Sequence, residues 1–232
     1  MIKKIIKFLN SNPSETDMFP EPLPIVKTLP KWYKDFPKFV NYENKKYPTV
    51  KSCMPFFDAL TIGYTFTTPC DIEFSIQGGK IKHKVLDERF ENFIGTRDPI
   101  PGFANLAGYH SEHFHWMPHW AALLPNGYSA LYVHPLNRFE LPFMSTNGII
   151  DNDKISVPGQ IPFFLKENFE GVILKDTPII QIIPFKREDW VSENIVSNME
   201  QFIERMEEGT KKYRGVDFGG YRTLDWEQKR YE

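Results

Sequence analysis

The chain has 232 residues, room for one large core, and its 28 basic and 30 acidic side chains leave a net charge of −2. No strongly basic stretch breaks that even mixture, so a general electrostatic pull on nucleic acid is not indicated. Two cysteines, Cys53 and Cys70, with no Cys-x-x-Cys pair, speak against a disulfide framework and against a cysteine-only zinc site.

Aromatic content and proline set the class of structure. Twenty Phe, 10 Tyr and 5 Trp accompany 19 Pro, a combination that disfavours long helices and favours short strands joined by fixed turns. The opening "MIKKIIKFLN" is too short and too charged for a signal peptide or a membrane span. It reads as a first strand, or as an amphipathic arm lying on a partner. Prolines then recur from Pro13 to Pro48, and only Lys31 to Asp35 leaves room for a regular turn. Residues 1–50 are therefore expected to form a proline-rich arm.

A β-rich core is expected over residues 51–190. "TIGYTFTT" and "DIEFSIQ" are strand-like, the second alternating apolar and polar, and Gly78-Gly79 before "KIKHKVL" signals a hairpin. Residues 84–109 are rich in turn formers and read as loop with a short strand. "GYSALYVHPL", "IPFFLK", "FEGVILK" and "PIIQIIPFKR" add further strands. Residues 191–232 change character: Ile195, Met199, Phe202, Ile203 and Met206 recur at helical spacing, and a glycine-rich then charged end follows.

Between two apolar runs stands "NGIIDND", which puts Asp151 and Asp153 on a tight loop. Two roles compete for such acids. They can cap loop N–H groups as Asx turns do, or they can serve a reaction.

The order of segments around this loop resembles the dUTPase and dCTP-deaminase superfamily. "DALTIGYTFTTPCDIEF", "HPLNR", "GIIDND" and "KDTPIIQIIPF" follow one another over about 130 residues as that family's motifs do. The resemblance implies a β-clip core, with Asp151 as the water-activating acid and Arg138, Asp153, Gln181 and Tyr64 around a nucleotide. There are departures. Lys154 stands where the family carries a sugar-stacking tyrosine, and Thr65 where it carries an aspartate that helps hold metal and triphosphate. The glycine-rich "RGVDFGG" lacks the family's Ser-Thr-Gly, and two residues separate Pro135 from Arg138. Missing partners argue against pyrophosphatase chemistry, because acid/base catalysis needs the whole constellation within reach.

A second constellation is "YHSEHFHWMPHW". On a strand, His113 and His115 would face one way, and His134 from "YVHP" could supply a third ligand to a divalent metal, as in oxygenase iron sites. The competing reading is an aromatic segment in which the histidines pack.

Across residues 20 to 190 the chain also resembles an uncharacterised family of tailed-phage proteins, through "PEPLPIVKTLPKWYKDFPK", "KSCMPFFDALTIGY" and "NGYSALYVHPLNRFELPF". We therefore expect a mainly β protein with a β-clip core, a proline-rich N-terminal arm and a C-terminal α-helix. The leading functional expectation is a non-catalytic binding, virion or accessory component in the host cytoplasm or virion. It would be a homo-oligomer, such as a trimer, engaging phage structural proteins or a nucleotide, with no membrane association. The alternatives are a divergent nucleotide enzyme or sensor and a histidine-ligated metal protein.

Overall fold

Trp116 and Phe163 stack face to face, with ring centroids 3.7 Å apart and planes 9° from parallel. Phe143 meets Trp116 edge-on at 5.1 Å, and Phe114 packs against Phe163 at 5.7 Å. This aromatic centre explains the composition: short strands leave gaps that flat, bulky rings fill. The computed structural model describes residues 4–10, 19–96, 106–195, 198–214 and 220–232. The "RGVDFGG" motif lies largely outside the described residues.

The chain divides into two compact units, the first comprising residues 1–28, 60–187 and 231–232, the second residues 29–59 and 188–230. The first unit is built of antiparallel sheets. One sheet joins β13 (Gly148–Ile150), β11 (Tyr128–Val133), β16 (Pro178–Lys186), β5 (Tyr64–Thr67) and β2 (Leu23–Pro24) in that order. Another runs β12 (Phe143–Ser145), β14 (Ile161–Lys166), β9 (Tyr109–Trp116), β8 (Ile94–Thr96). A third pairs β15 (Gly171–Ile173) with β6 (Ile72–Gln77) and β7 (Lys80–Val85), and β1 (Lys7–Asn10) pairs with β10 (Trp120–Leu123).

The protein is thus mainly β, as the composition implies. The opening segment does form a strand, β1, whose Phe8 is set edge-on to Phe66 at 6.1 Å. Gly78 and Gly79 both adopt positive φ, 59° and 77°, and close the β6–β7 hairpin. In "TIGYTFTT" only Tyr64–Thr67 is strand. Its first residue, Thr61, ends α2 (Met54–Thr61), a helix the strand pattern does not reveal. Pro55 sits in that helix's first turn, where its missing N–H breaks no helical bond. Gly63 then turns the chain at φ 84°, so close to β16 that a Cβ would lie 2.2 Å from the Ile182 carbonyl oxygen.

The second unit holds α1 (Lys31–Asp35), the hairpin of β3 (Phe39–Tyr42) and β4 (Lys45–Pro48), α3 (Met199–Arg214) and α4 (Gly220–Leu224). The helical spacing of Met199, Phe202, Ile203 and Met206 is realised in α3, which begins after Ile195 and leaves that residue outside the helix, yet these four side chains remain exposed, at 72, 54, 49 and 58%. Among the described residues no helix is long and apolar enough to cross a membrane.

Candidate functional site

The acidic turn is a stapled loop. After β13, Asp151 accepts a hydrogen bond from the Ser129 hydroxyl at 2.6 Å and lies 3.3 Å from Arg187. Arg187 follows β16 and donates Nη1 to Asp153 Oδ1 at 2.8 Å and Nη2 to Asp153 Oδ2. The Gly127 amide also donates to Asp153, at 2.8 Å. Between the acids, Asn152 is buried and donates to the carbonyls of Ala122 at 3.2 Å and Ile155 at 3.3 Å. The turn's polar side chains thus reach four chain segments. The buried Ser129 and Asn152 are thereby paired, and the half-exposed Asp151 and Arg187 gain charge-assisted bonds.

The electrostatics follow from that arrangement. The Ser129 hydroxyl bond, with Arg187 and Lys154 nearby, holds the Asp151 carboxyl below its usual range. Arg187 brings Asp153 down to about 2, helped by the Gly127 amide. Carboxylates so stabilised are ionised and weakly basic near neutrality, whereas a general base works best with a pKa near the operating pH.

Gln181 does not share this location. In the register Val133 pairs with Gln181 and Ser129 with Phe185, so Asp151 and Gln181 sit at opposite ends of β11. Four residues of strand separate the two rows, about 13 Å. Gln181 is fully buried: its Oε1 accepts from the Leu136 amide at 2.8 Å and its Nε2 donates to the Ile62 carbonyl at 2.6 Å. It ties two loops together. Arg138, also nearly buried, donates Nη1 to the Thr28 carbonyl at 2.9 Å and Nε to Glu140. Tyr64 donates to the Glu232 carbonyl at 3.2 Å and meets Phe8 and Tyr231 edge-on. The expected cleft around Asp151, Arg138, Gln181 and Tyr64 is therefore not assembled: Gln181 and Arg138 are occupied by backbone at one end of the sheet, and the acids by Arg187 at the other.

The histidines are on β9, which is a strand as their alternation requires, and both His113 and His115 are buried. His113 lies against Phe164 at 5.4 Å. His115 covers Gly95, where a Cβ would stand 2.0 Å from its Nε2. His134 belongs to the other sheet's end, where its Nδ1 accepts from the Ser145 amide at 3.3 Å. Burial drives its pKa down to about 4, opposed by a backbone hydrogen bond at Arg138 and helped by the Lys166 charge. Among the described residues no group of three His, Cys, Asp or Glu side chains is placed to hold a metal ion, so the three histidines do not form the expected ligand set.

A different feature of the first unit is concave. A pocket of about 240 Å³ is walled by Phe66, Trp120, Tyr132, Ile150, Val157 and Ile161, with the Asn147-Gly148 turn at its rim. Burial pushes the Tyr132 hydroxyl up to about 12, so it stays protonated. Its walls come from β5, β10, β11, β13 and β14 and the "VPGQ" loop, a convergence no local motif announces. Arg187, the counter-ion of both acids, likewise belongs to no sequence motif. Its only local signal is a lone arginine closing an apolar strand. No family model and no curated protein matches this chain.

Proposed function

We propose that the protein is a non-catalytic binding component, phage-encoded and of β-clip type, that acts in the virion or as an accessory factor in the host cytoplasm. It works as a homo-oligomer and engages an apolar side chain of a protein partner in the pocket between Trp120 and Val157. One contrast carries this reading: the acids of the turn are committed to Arg187, Ser129 and Gly127, while the apolar pocket beside β13 is open. At about 240 Å³ the pocket is smaller than the roughly 300–1,000 Å³ typical of small-molecule sites, and its size and apolar walls suit one anchoring side chain.

The motif order of the phage and dUTPase-like families supports the β-clip assignment, and the mainly β architecture agrees with it at the coarser level. Incubation with dUTP or dCTP and Mg²⁺ should release neither pyrophosphate nor ammonia. Turnover that disappears in Asp151→Asn would overturn the non-catalytic reading. Quantitative mass spectrometry of purified particles should find the chain there in fixed stoichiometry if it is a virion component, and only in the lysate if it is accessory.

A further inference from the structure

The second unit carries a pocket of another character. Its volume is about 660 Å³, and Lys34, Lys38, Lys51 and Arg222 line it with no acidic side chain among the lining residues. Tyr33, Phe57 and Trp226 supply its aromatic surface. Residues 31–51 depart from the even charge balance expected along the chain: they hold six lysines, at 31, 34, 38, 45, 46 and 51, against only Asp35 and Glu43. Asp35 is paired with Lys31.

The aromatic surface is held in place. Tyr33 is buried and stacks on Phe56 at 6.2 Å and on Phe57 at 6.4 Å. The Trp226 indole N–H donates to both oxygens of Asp58, at 3.1 and 3.0 Å. Lys229 bonds the same carboxylate at 2.9 Å, so Asp58 is neutralised. Lys51 is positioned as well: its Nζ donates to the Lys34 carbonyl at 2.7 Å and lies 5.9 Å from the Tyr33 ring centroid. The pocket therefore gathers like charges around fixed rings, and the nearby carboxylates Asp35 and Asp58 are each bound to another lysine. Four cations sharing one concavity repel one another, and a ligand that brings negative charge relieves that repulsion.

We propose that this pocket binds a phosphorylated planar ring, of the nucleoside-phosphate class. The ring lies against the half-buried Trp226, with the buried Tyr33 supporting the pocket wall, and the phosphate sits among Lys34, Lys38, Lys51 and Arg222. Aromatic side chains stack nucleobases of any sequence, and Lys and Arg neutralise phosphate. The volume lies inside the roughly 300–1,000 Å³ range of small-molecule sites. The site shares no residue with the acidic turn and implies no reaction. Its ligand is either a free nucleotide or one nucleotide of a single strand, since both present the same base and phosphate.

Thermal unfolding of the full chain with adenosine 5′-monophosphate, adenosine, inorganic phosphate or a short oligothymidylate tests the proposal. The monophosphate or the oligothymidylate should raise the melting temperature by at least about 2 °C at saturating concentration. Adenosine and inorganic phosphate should each do markedly less. A larger effect of the oligothymidylate assigns the strand as the source, and a larger effect of the monophosphate assigns the free nucleotide. The double variant Lys34→Glu/Lys38→Glu should lose the shift while its unliganded melting temperature stays near the parent's. Arg222→Gln, on exposed helix α4, should weaken binding at least several-fold by titration calorimetry. No shift with any phosphorylated probe overturns the proposal. An equal shift with inorganic phosphate alone, or a shift that survives in the double variant, overturns it as well.

Discussion

Arg187 and Asp153 form a two-pronged ion pair that closes the loop after β13 onto the end of β16, with Nη1 to Oδ1 at 2.8 Å. The same guanidinium reaches the Ser129 hydroxyl at 2.9 Å and the Tyr128 carbonyl at 3.0 Å. A planar fork with several donors suits this place, and lysine could not replace it geometrically. Arg187→Lys is accordingly expected to lower the melting temperature, and Arg187→Ala to lower it further. Calorimetric scans of the two variants beside the parent check this order.

The pair also sets an acid limit. With its folded pKa depressed to about 2, Asp153 contributes stability that is complete above its ordinary value near 3.8 and is lost as pH falls toward 2. Urea unfolding followed from pH 5 to pH 2 should show a steep decline in the parent. Asp153→Asn should start lower and decline less over that window. An equal slope in both would show that Asp153 is not a source of acid sensitivity.

His134 acts in the next window up. Its folded pKa, about 4, lies below the ordinary 6.5, because the buried ring is favoured neutral. The stability this represents is complete above pH 6.5 and disappears as pH falls to about 4, amounting to about 3 kcal/mol. An NMR titration of the imidazole should give a midpoint far below that of an exposed histidine. His134→Asn should flatten the stability curve between pH 6.5 and 4.

Gln181 is a structural amide. Gln181→Leu keeps the volume roughly but strands the Leu136 N–H and the Ile62 carbonyl in the interior. Each unsatisfied buried group costs about 1–3 kcal/mol, so the two together should cost about 2–6 kcal/mol in chemical denaturation. A neutral effect would mean that both loops find other partners.

Gly63→Ala meets two obstacles. The residue has φ 84°, and an added Cβ would lie 2.2 Å from the Ile182 carbonyl oxygen, a backbone atom of the central sheet. A loss of about 1–3 kcal/mol is expected from the dihedral alone, with the steric shift adding to it. Gly78→Ala, where an added Cβ meets nothing within 4 Å, should cost less under the same denaturation assay.

Local chemistry made much of the first unit legible. Alternation in "DIEFSIQ", the Gly78-Gly79 pair and the apolar run at residues 178–185 each specify a strand or turn within a few residues. The helical spacing of α3 is local in the same sense. What spacing does not contain is the partner of an apolar face, and Phe202 and Met206 are exposed in a helix whose pattern alone would suggest burial.

The sequence by itself determined a strand-rich, aromatic-cored protein with a C-terminal helix, because dihedral preferences and side-chain periodicity act over a few neighbouring residues. Only the tertiary structure decided that Asp151 and Gln181 face different ends of β11, since antiparallel register, not chain order, sets which residues become neighbours. The same holds for Lys34, Lys38 and Lys51, which join Arg222 and Trp226 in one pocket across more than 170 residues of chain. Charge and aromatic content are properties of the composition. Their convergence at one place is a property of the fold.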